Sequence, residues 1–159
     1  QREAAHQLQE SIRAEHVNIA LPLFSDATVS DEQLKSNHVL LVGRPATNRV
    51  TERFAKALPV SFGRQSFVVD RELYAHPKSA VIATGTNLLN PRYSVTVVAG
   101  LSALATYQAA DELGFEDFGV EVKILPHGAS AKKVFVPATE LVHEFPVGER
   151  VSKAGAEQD

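Results

Sequence analysis

The sequence predicts an α/β domain of a three-layer, Rossmann-like kind, with a mixed, partly parallel sheet and helices on both faces. Two stretches carry this prediction, at residues 38–58 and 95–113. Each has an apolar strand, then a glycine turn, then a helix. Repeated units of this kind indicate a sheet with a parallel part and covered faces. The chain has 159 residues, which is enough for one such domain with a real core.

Composition narrows the function classes. The net charge of −3 comes from scattered charges of both signs, whereas nucleic-acid-binding surfaces cluster Lys and Arg. No apolar run approaches the ~20 residues that span a membrane. The absence of Cys excludes disulfides and thiolate metal sites. The chain also starts at Gln1 and contains no Met, so we expect a processed product or a piece of a longer polypeptide.

Three regions are predicted along the chain. Residues 1–16 form an N-terminal helix or a linker from an upstream domain, because their apolar stripe is thin. Residues 17–145 form the single α/β domain. Residues 146–159 lose all apolar periodicity and consist mainly of Gly, Ser, Ala and charged residues. They are therefore predicted to be a disordered tail or linker.

The central region opens with short elements. Residues 18–24 are a strand candidate that Pro22 weakens, because proline cannot donate to a strand ladder. Ser30 followed by Gln33 fits a capping box, which predicts a short helix over residues 31–35. Further short strands are predicted at residues 60–62, 66–69, 120–124 and 133–136.

The first repeated unit begins with a strand at residues 38–43. Thr47 or Asn48 is the predicted N-cap of the helix that follows. Pro59 ends that helix. The second unit contains strands at 80–83 and 95–99, a helix from about Ser102, and a C-cap of that helix at Gly114.

Ser102 is the candidate nucleophile. It follows Gly100 between a strand and a helix, which is the setting of the nucleophile elbow in serine hydrolases. Leu104, however, occupies a position where an elbow needs a small residue. Because Ser is also a preferred helix N-cap, the sequence favours a capping role. A small serine hydrolase using Ser102 remains the alternative.

The turn from Gly43 to Asn48 is a candidate anion site. Free N–H groups at a helix start bind anions, and Arg44 would then be the partner. The segment GRPATN lacks both the glycine spacing of a dinucleotide fingerprint and the lysine of a P-loop. Pro45 also removes one N–H group. Ordinary turn chemistry is favoured, and an anion- or glycan-binding module at the Gly43 and Gly100 turns is the second alternative.

The loop NLLNPRY contains the other ligand-binding candidates, Asn87, Asn90 and Arg92. Asn and Pro together usually build a fixed turn, so structural locking is favoured over ligand contact. We expect Asn90 to satisfy buried backbone groups. We also expect the loop to lie beside the Gly43 and Gly100 turns, because binding crevices lie at the carboxyl ends of strands in α/β sheets.

No cofactor or metal site is predicted. The six His form no pair at i,i+4 spacing, and His143-Glu144 is not followed by a second His at helical spacing.

Three segments together resemble a known kind of domain: HVLLVGRPATN, LPVSF and HPKSAVIATGTNLLNPRYSVTVVAGLSALAT. The set resembles an accessory α/β domain of large secreted bacterial hydrolases of the zinc aminopeptidase-like and prolyl-oligopeptidase-like kinds. A similar pattern occurs in some archaeal surface-layer proteins. The resemblance covers roughly residues 17–113, and its most specific part is the asparagine loop with the strand and glycine that follow. Leu88 stands where the pattern has proline.

The resemblance implies a domain that lies outside the catalytic domain of its parent protein, in an extracellular or cell-envelope setting. It carries no catalytic residues over to this chain. The predicted function is therefore a non-catalytic accessory or interaction domain of a larger secreted hydrolase or cell-surface protein. Its expected partner is a neighbouring domain of the same polypeptide or another protein, without nucleic acid and without a membrane span.

Overall fold

The computed structural model describes residues 1–15, 21–113 and 121–135. In this part of the chain the helices are α1 (Arg2–Glu15), α2 (Asp31–Lys35), α3 (Arg49–Phe54) and α4 (Ala103–Asp111). The strands are β1 (Val39–Val42), β2 (Ser61–Phe62), β3 (Phe67–Val69), β4 (Glu72–Tyr74), β5 (Ala80–Thr86), β6 (Ser94–Gly100), β7 (Val122–Leu125) and β8 (Lys132–Val134).

The strands of the described residues form a mixed five-stranded sheet and a small antiparallel sheet. The order in the main sheet is β1-β6-β5-β7-β8, and the small sheet has the order β2-β3-β4. β1 and β6 are parallel, and the other neighbours in the main sheet are antiparallel. The predicted mixed, partly parallel sheet with helices is thereby confirmed, with one parallel pair among the strands described.

The hairpin of β5 and β6 is the centre of the main sheet. Its two strands pair over their whole length, from Ala80 opposite Gly100 to Thr86 opposite Ser94. β-Branched and small residues dominate both strands, which suits a sheet that is buried on both faces. Residues 80–83 and 97–100 are all buried.

Each face of the sheet has its own apolar core. Val81, Val97 and their neighbours pack with residues of α2, α3 and the small sheet. Ile82 and Val98 point to the opposite face and pack with α1 and α4. This division follows from the alternation of side chains along a strand. Burial of Ala4 and Leu8 ties α1 to the second core.

Caps and close contacts set the ends of the short helices. The predicted capping box of Ser30 and Gln33 is confirmed at the start of α2. Thr47 and Asn48 were the two predicted N-caps of α3, and Asn48 is the N-cap in the structure. α3 ends at Phe54 and continues as a 3-10 turn, Ala55–Ala57, so the α-helix is shorter than the sequence predicts.

The prediction of a strand at residues 18–24 is wrong for the residues of this segment that the structure describes. Residues 21–24 of the candidate at 18–24 form no strand. Pro22 lacks an N–H group for a ladder, and the side chains of Leu23 and Phe24 are exposed rather than packed. The predicted C-cap Gly114, the strand residues 120 and 136, and the tail 146–159 lie outside the described residues. No helix of the described part is long and apolar enough to cross a membrane.

Candidate functional site

The ligand-binding candidates lie at opposite ends of the main sheet. β1 and β6 are parallel, so Gly43 and Gly100 both lie at the carboxyl ends of these strands. β5 is antiparallel to β6, so the asparagine loop between them lies at the amino ends of β6 and β1. The expectation that this loop lies beside the Gly43 turn is therefore wrong. The structure brings together Gly43, Arg44, Gly100 and Ser102 at one edge, and Asn87, Asn90 and Arg92 at the other.

Ser102 is the N-cap of α4. Its backbone is extended, with φ of −132°, and its Oγ accepts a hydrogen bond from the Ala105 N–H at 3.1 Å. The hydroxyl of Thr106 donates back to the Ser102 carbonyl at 3.0 Å and accepts the Gly100 N–H at the same distance. The predicted capping role of Ser102 is confirmed. In the described residues no hydrogen bond joins Ser102 to a histidine or a carboxylate that would serve as a base.

Gly100 serves helix packing. A Cβ at this position would lie 2.5 Å from the carbonyl carbon of Ala105 and closer still to the Thr106 nitrogen. Glycine is therefore required because the first turn of α4 rests directly on the end of β6. The strand-glycine-serine-helix pattern reflects this contact and a cap rather than an exposed nucleophile.

The Gly43 turn is filled by the chain itself. Gly43 has a φ of +107°, a conformation that favours glycine, and its N–H donates to the Val98 carbonyl at 2.9 Å. The side-chain amide of Gln1 lies over Gly43 and donates a hydrogen bond to the Thr47 hydroxyl. Arg44 is half-buried, and its Nη1 donates to the Arg64 carbonyl at 2.9 Å. Arg44 is thus the candidate at this edge with donors left for an anion.

Asn48 is bonded at both ends of its amide to backbone groups of the domain. Its Oδ1 accepts the N–H groups of Val50 and Thr51 at 2.9 and 3.0 Å, and its Nδ2 donates to the Val42 carbonyl at 3.2 Å. The side chain therefore caps α3 and holds the helix to the end of β1. These contacts agree with a structural role, and the ligand-binding role of Asn48 stays a prediction.

The asparagine loop fastens α2 to the central hairpin. Asn87 is 1% exposed; its Nδ2 donates to the Leu34 carbonyl at 2.7 Å, and its Oδ1 accepts the Leu89 N–H at 2.9 Å. Asn90 is half-buried and makes the matching pair of bonds, to the Lys35 carbonyl at 3.0 Å and from the Arg92 N–H at 3.2 Å. The last carbonyls of a helix have no partner within the helix, and these two amides supply it.

Asn90 was expected to satisfy buried backbone groups, but the buried asparagine that bonds the carbonyl of a buried residue is Asn87. The loop is held further by His38, whose Nδ1 accepts the Ser94 N–H at 3.1 Å and whose ring meets Tyr93 edge-to-face. Arg92 is exposed. The locking interpretation of this loop agrees with these contacts, and its ligand-binding role stays a prediction.

Two histidines that the sequence did not single out stack at the same edge as Gly43. The rings of His76 and His127 lie 3.8 Å apart with an interplanar angle of 9°. The His76 Nδ1 accepts the Lys78 N–H at 3.2 Å, and the Ser79 hydroxyl accepts the His127 N–H at 3.2 Å. The pair therefore joins the loop before β5 to the turn after β7. No periodic pattern links two histidines so far apart in sequence.

This histidine pair is unsuited to hold a metal ion. The ring nitrogens of stacked imidazoles lie in parallel planes and do not converge on one point. The described residues contain no group of three metal-binding side chains. The pKa of His76 is lowered by loss of hydration and then by the neighbouring His127 and Lys78. A lowered pKa favours the neutral form of the His76 imidazole.

A shallow groove lies between the outer sides of α1 and α4. It is lined by Glu3, His6, Gln7, Glu10 and Tyr107. The Tyr107 hydroxyl donates to the Gln7 Oε1 at 3.0 Å. Leu104, one turn before Tyr107, is 58% exposed. The sequence contains a signal for this exposure, because Leu104 lies outside the stripe of Ala105, Ala109 and Ala110 that faces the core.

Comparisons of the chain with protein-family models, with curated proteins and with solved structures give no match.

Proposed function

We propose that the chain is a non-catalytic accessory or interaction domain of a larger secreted hydrolase or cell-surface protein. The observation that carries the proposal is the state of Ser102, whose Oγ accepts a backbone N–H as a helix cap. A nucleophilic serine needs a general base within hydrogen-bond reach. Asn48, Asn87 and Asn90 are likewise committed to backbone groups of the domain itself.

The setting of the domain is proposed from the resemblance. The segments HVLLVGRPATN and NLLNPRY favour a place beside the catalytic domain of a peptidase-like parent, in the extracellular space or the cell envelope. The partner is then a neighbouring domain or another protein. We also interpret the fold as three-layered and Rossmann-like, which the separate apolar cores on the two faces of the sheet support.

A fluorophosphonate probe tests the non-catalytic role directly. We expect the wild-type chain to label no more than Ser102→Ala. Ser102→Asp is the matched control, because aspartate keeps a side-chain oxygen at the N-cap and removes the hydroxyl nucleophile. Labelling of the wild type that disappears in both variants, while Ser102→Asp retains its fold, would establish a serine hydrolase instead.

An anion-binding module is the second candidate, and Arg44 is the observation that favours it. This side chain is half-buried beside the Gly43 turn and is held by the Arg64 carbonyl. A thermal-shift titration with phosphate, nucleotides and sugars compares Arg44→Lys with Arg92→Lys, at the opposite edge of the sheet. A stabilisation by phosphate that only Arg44→Lys removes would assign the site to the Gly43 edge, because lysine lacks the planar fork of arginine.

A further inference from the structure

The outer side of α1 and α4 carries a surface outside all the candidates from the sequence. We define the acidic face as Leu104 and Tyr107 of α4 with Glu3 and Glu10 of α1. Glu3, Glu10 and Tyr107 line one groove. Leu104 and Tyr107 are three residues apart on a helix and therefore lie on one stripe. They are 58% and 41% exposed, so two large apolar side chains meet solvent on this side of α4. Tyr107 shares its groove with the two carboxylates.

Tyr107 is held in place before any partner arrives. Its hydroxyl donates to the Gln7 Oε1 at 3.0 Å, and the Gln7 Nε2 donates to the Asp111 carboxylate at 2.7 Å. This chain of bonds crosses from α4 to α1 and back. An aromatic side chain that is already ordered loses little entropy on binding, and tyrosine is enriched among residues that dominate interface energies.

The charge around the groove is negative. The helix ALATYQAAD contains no basic residue. Arg13 is the cation recorded at Glu10 in the described residues, at 4.0 Å, and both side chains are largely exposed. The pair is weak, and the carboxylates of Glu3, Glu10 and Asp111 outnumber Arg13 on this side of the two helices. A second copy docked through the same face would bring carboxylates together, which disfavours self-association there. The charge pattern therefore selects a basic partner.

We propose that the acidic face binds an amphipathic helix of a partner polypeptide. Apolar side chains of that helix cover Leu104 and Tyr107, and its Lys or Arg residues lie beside Glu3 and Glu10. In helix-in-groove recognition an amphipathic helix lays its apolar face on an apolar surface, and here the exposed Leu104 and Tyr107 supply that surface. This inference rests on the proposed interaction role and gives the chemistry of the partner.

Fluorescence anisotropy with a defined probe tests the proposal. The probe is a fluorescein-labelled helical peptide with leucines on one face and lysines on the other. We expect saturable binding to the full chain that weakens with salt. Leu104→Ser combined with Tyr107→Ser should lower the affinity about tenfold or more, as for residues at the centre of an interface. Glu3→Gln combined with Glu10→Gln should lower both the affinity and its salt dependence.

Leu73→Ser is the matched control, because Leu73 is 66% exposed on β4 and belongs to another surface. It should leave the affinity unchanged. Equal binding by the Leu104/Tyr107 double variant, tight binding of a glutamate version of the peptide, or no binding at all would overturn the proposal. Tyr107→Phe, which keeps the ring, serves if the double variant does not fold, and loss of the Gln7 bond should then weaken binding. These results leave the fluorophosphonate result untouched, so the two proposals fail separately.

Discussion

Replacing Asn87 by alanine tests how the asparagine loop holds the domain together. The side chain is 1% exposed and lies between α2 and the central hairpin. It donates to the Leu34 carbonyl at 2.7 Å and accepts the Leu89 N–H at 2.9 Å. A third contact, to the Asn37 carbonyl, is 3.4 Å long and therefore weak. Alanine removes all three contacts and leaves these backbone groups facing a cavity that holds no hydrogen-bond partner for them.

The expected loss follows from the groups that are left behind. A buried polar group without a partner costs about 1–3 kcal/mol. The Leu34 carbonyl belongs to a buried residue and bears the full cost, whereas Leu89 is half-buried and water can reach its N–H. We therefore expect Asn87→Ala to lower the free energy of unfolding by about 2–4 kcal/mol.

Urea denaturation followed by circular dichroism measures the effect, with two asparagines of the same region as controls. Asn90 is half-buried, and Asn90→Ala should cost about 1 kcal/mol. Asn37 is exposed and donates to the Gln33 carbonyl at 2.9 Å, and Asn37→Ala should cost under about 0.5 kcal/mol.

The order of the three losses is the decisive result. A loss at Asn87 no greater than that at Asn90 would refute the reasoning, because it would mean that the buried amide is not needed to satisfy α2. The loop would then become a stronger ligand-site candidate. An unchanged denaturant slope across the variants is required for the comparison, since a changed slope means a changed denatured or native state.

Three further outcomes are expected. Gly85→Ala should cost about 3 kcal/mol in a urea melt, because a Cβ there would lie 2.8 Å from the carbonyl carbon of Ala57. Thr51→Val should raise the unfolding free energy by about 1 kcal/mol, because the buried Thr51 Oγ1 has no hydrogen-bond partner among the described residues. The pKa of His76 is lowered in the folded state, so a contribution to stability that is present above pH 6.5 is lost as the pH falls through the folded-state pKa. His76→Gln should therefore make the melting temperature depend less on pH in this range.

The sequence predicted the elements that local chemistry determines. Ser30 and Gln33 defined the start of α2 because a capping box acts within one turn. Ser102 was identified as a cap for the same reason. The strands of the central hairpin were recognisable from β-branched runs. Each of these signals is complete within a few neighbouring residues.

The position of the asparagine loop depended on strand direction, which apolar runs do not encode. A strand buried on both faces looks the same whether its neighbour is parallel or antiparallel. The predicted strand ended at residue 83, but β5 continues to Thr86 and leaves only residues 87–93 as the connection. A parallel pair needs a crossover of about a dozen residues, so the true strand end would have identified the hairpin.

The acidic face and the histidine pair depended on the packing of distant segments. Glu3 and Tyr107 come together because α1 rests on α4, and no periodicity within α1 states which helix will cover it. His76 and His127 meet because β5 and β7 are neighbours in the sheet. Contacts of this kind follow from topology, so they became visible only with the order of the strands.

Two glycines explain how the central hairpin positions the elements on both faces. Gly85 of β5 belongs to the same side of the sheet as Val81, and the backbone of Ala57 rests directly on it. Gly100 of β6 belongs to the opposite side, where the first turn of α4 makes the same close approach. Because backbone meets backbone at both points, neither element can shift without losing its contact. The hairpin therefore fixes where α3 ends and where α4 begins, and with α4 the place of the acidic face.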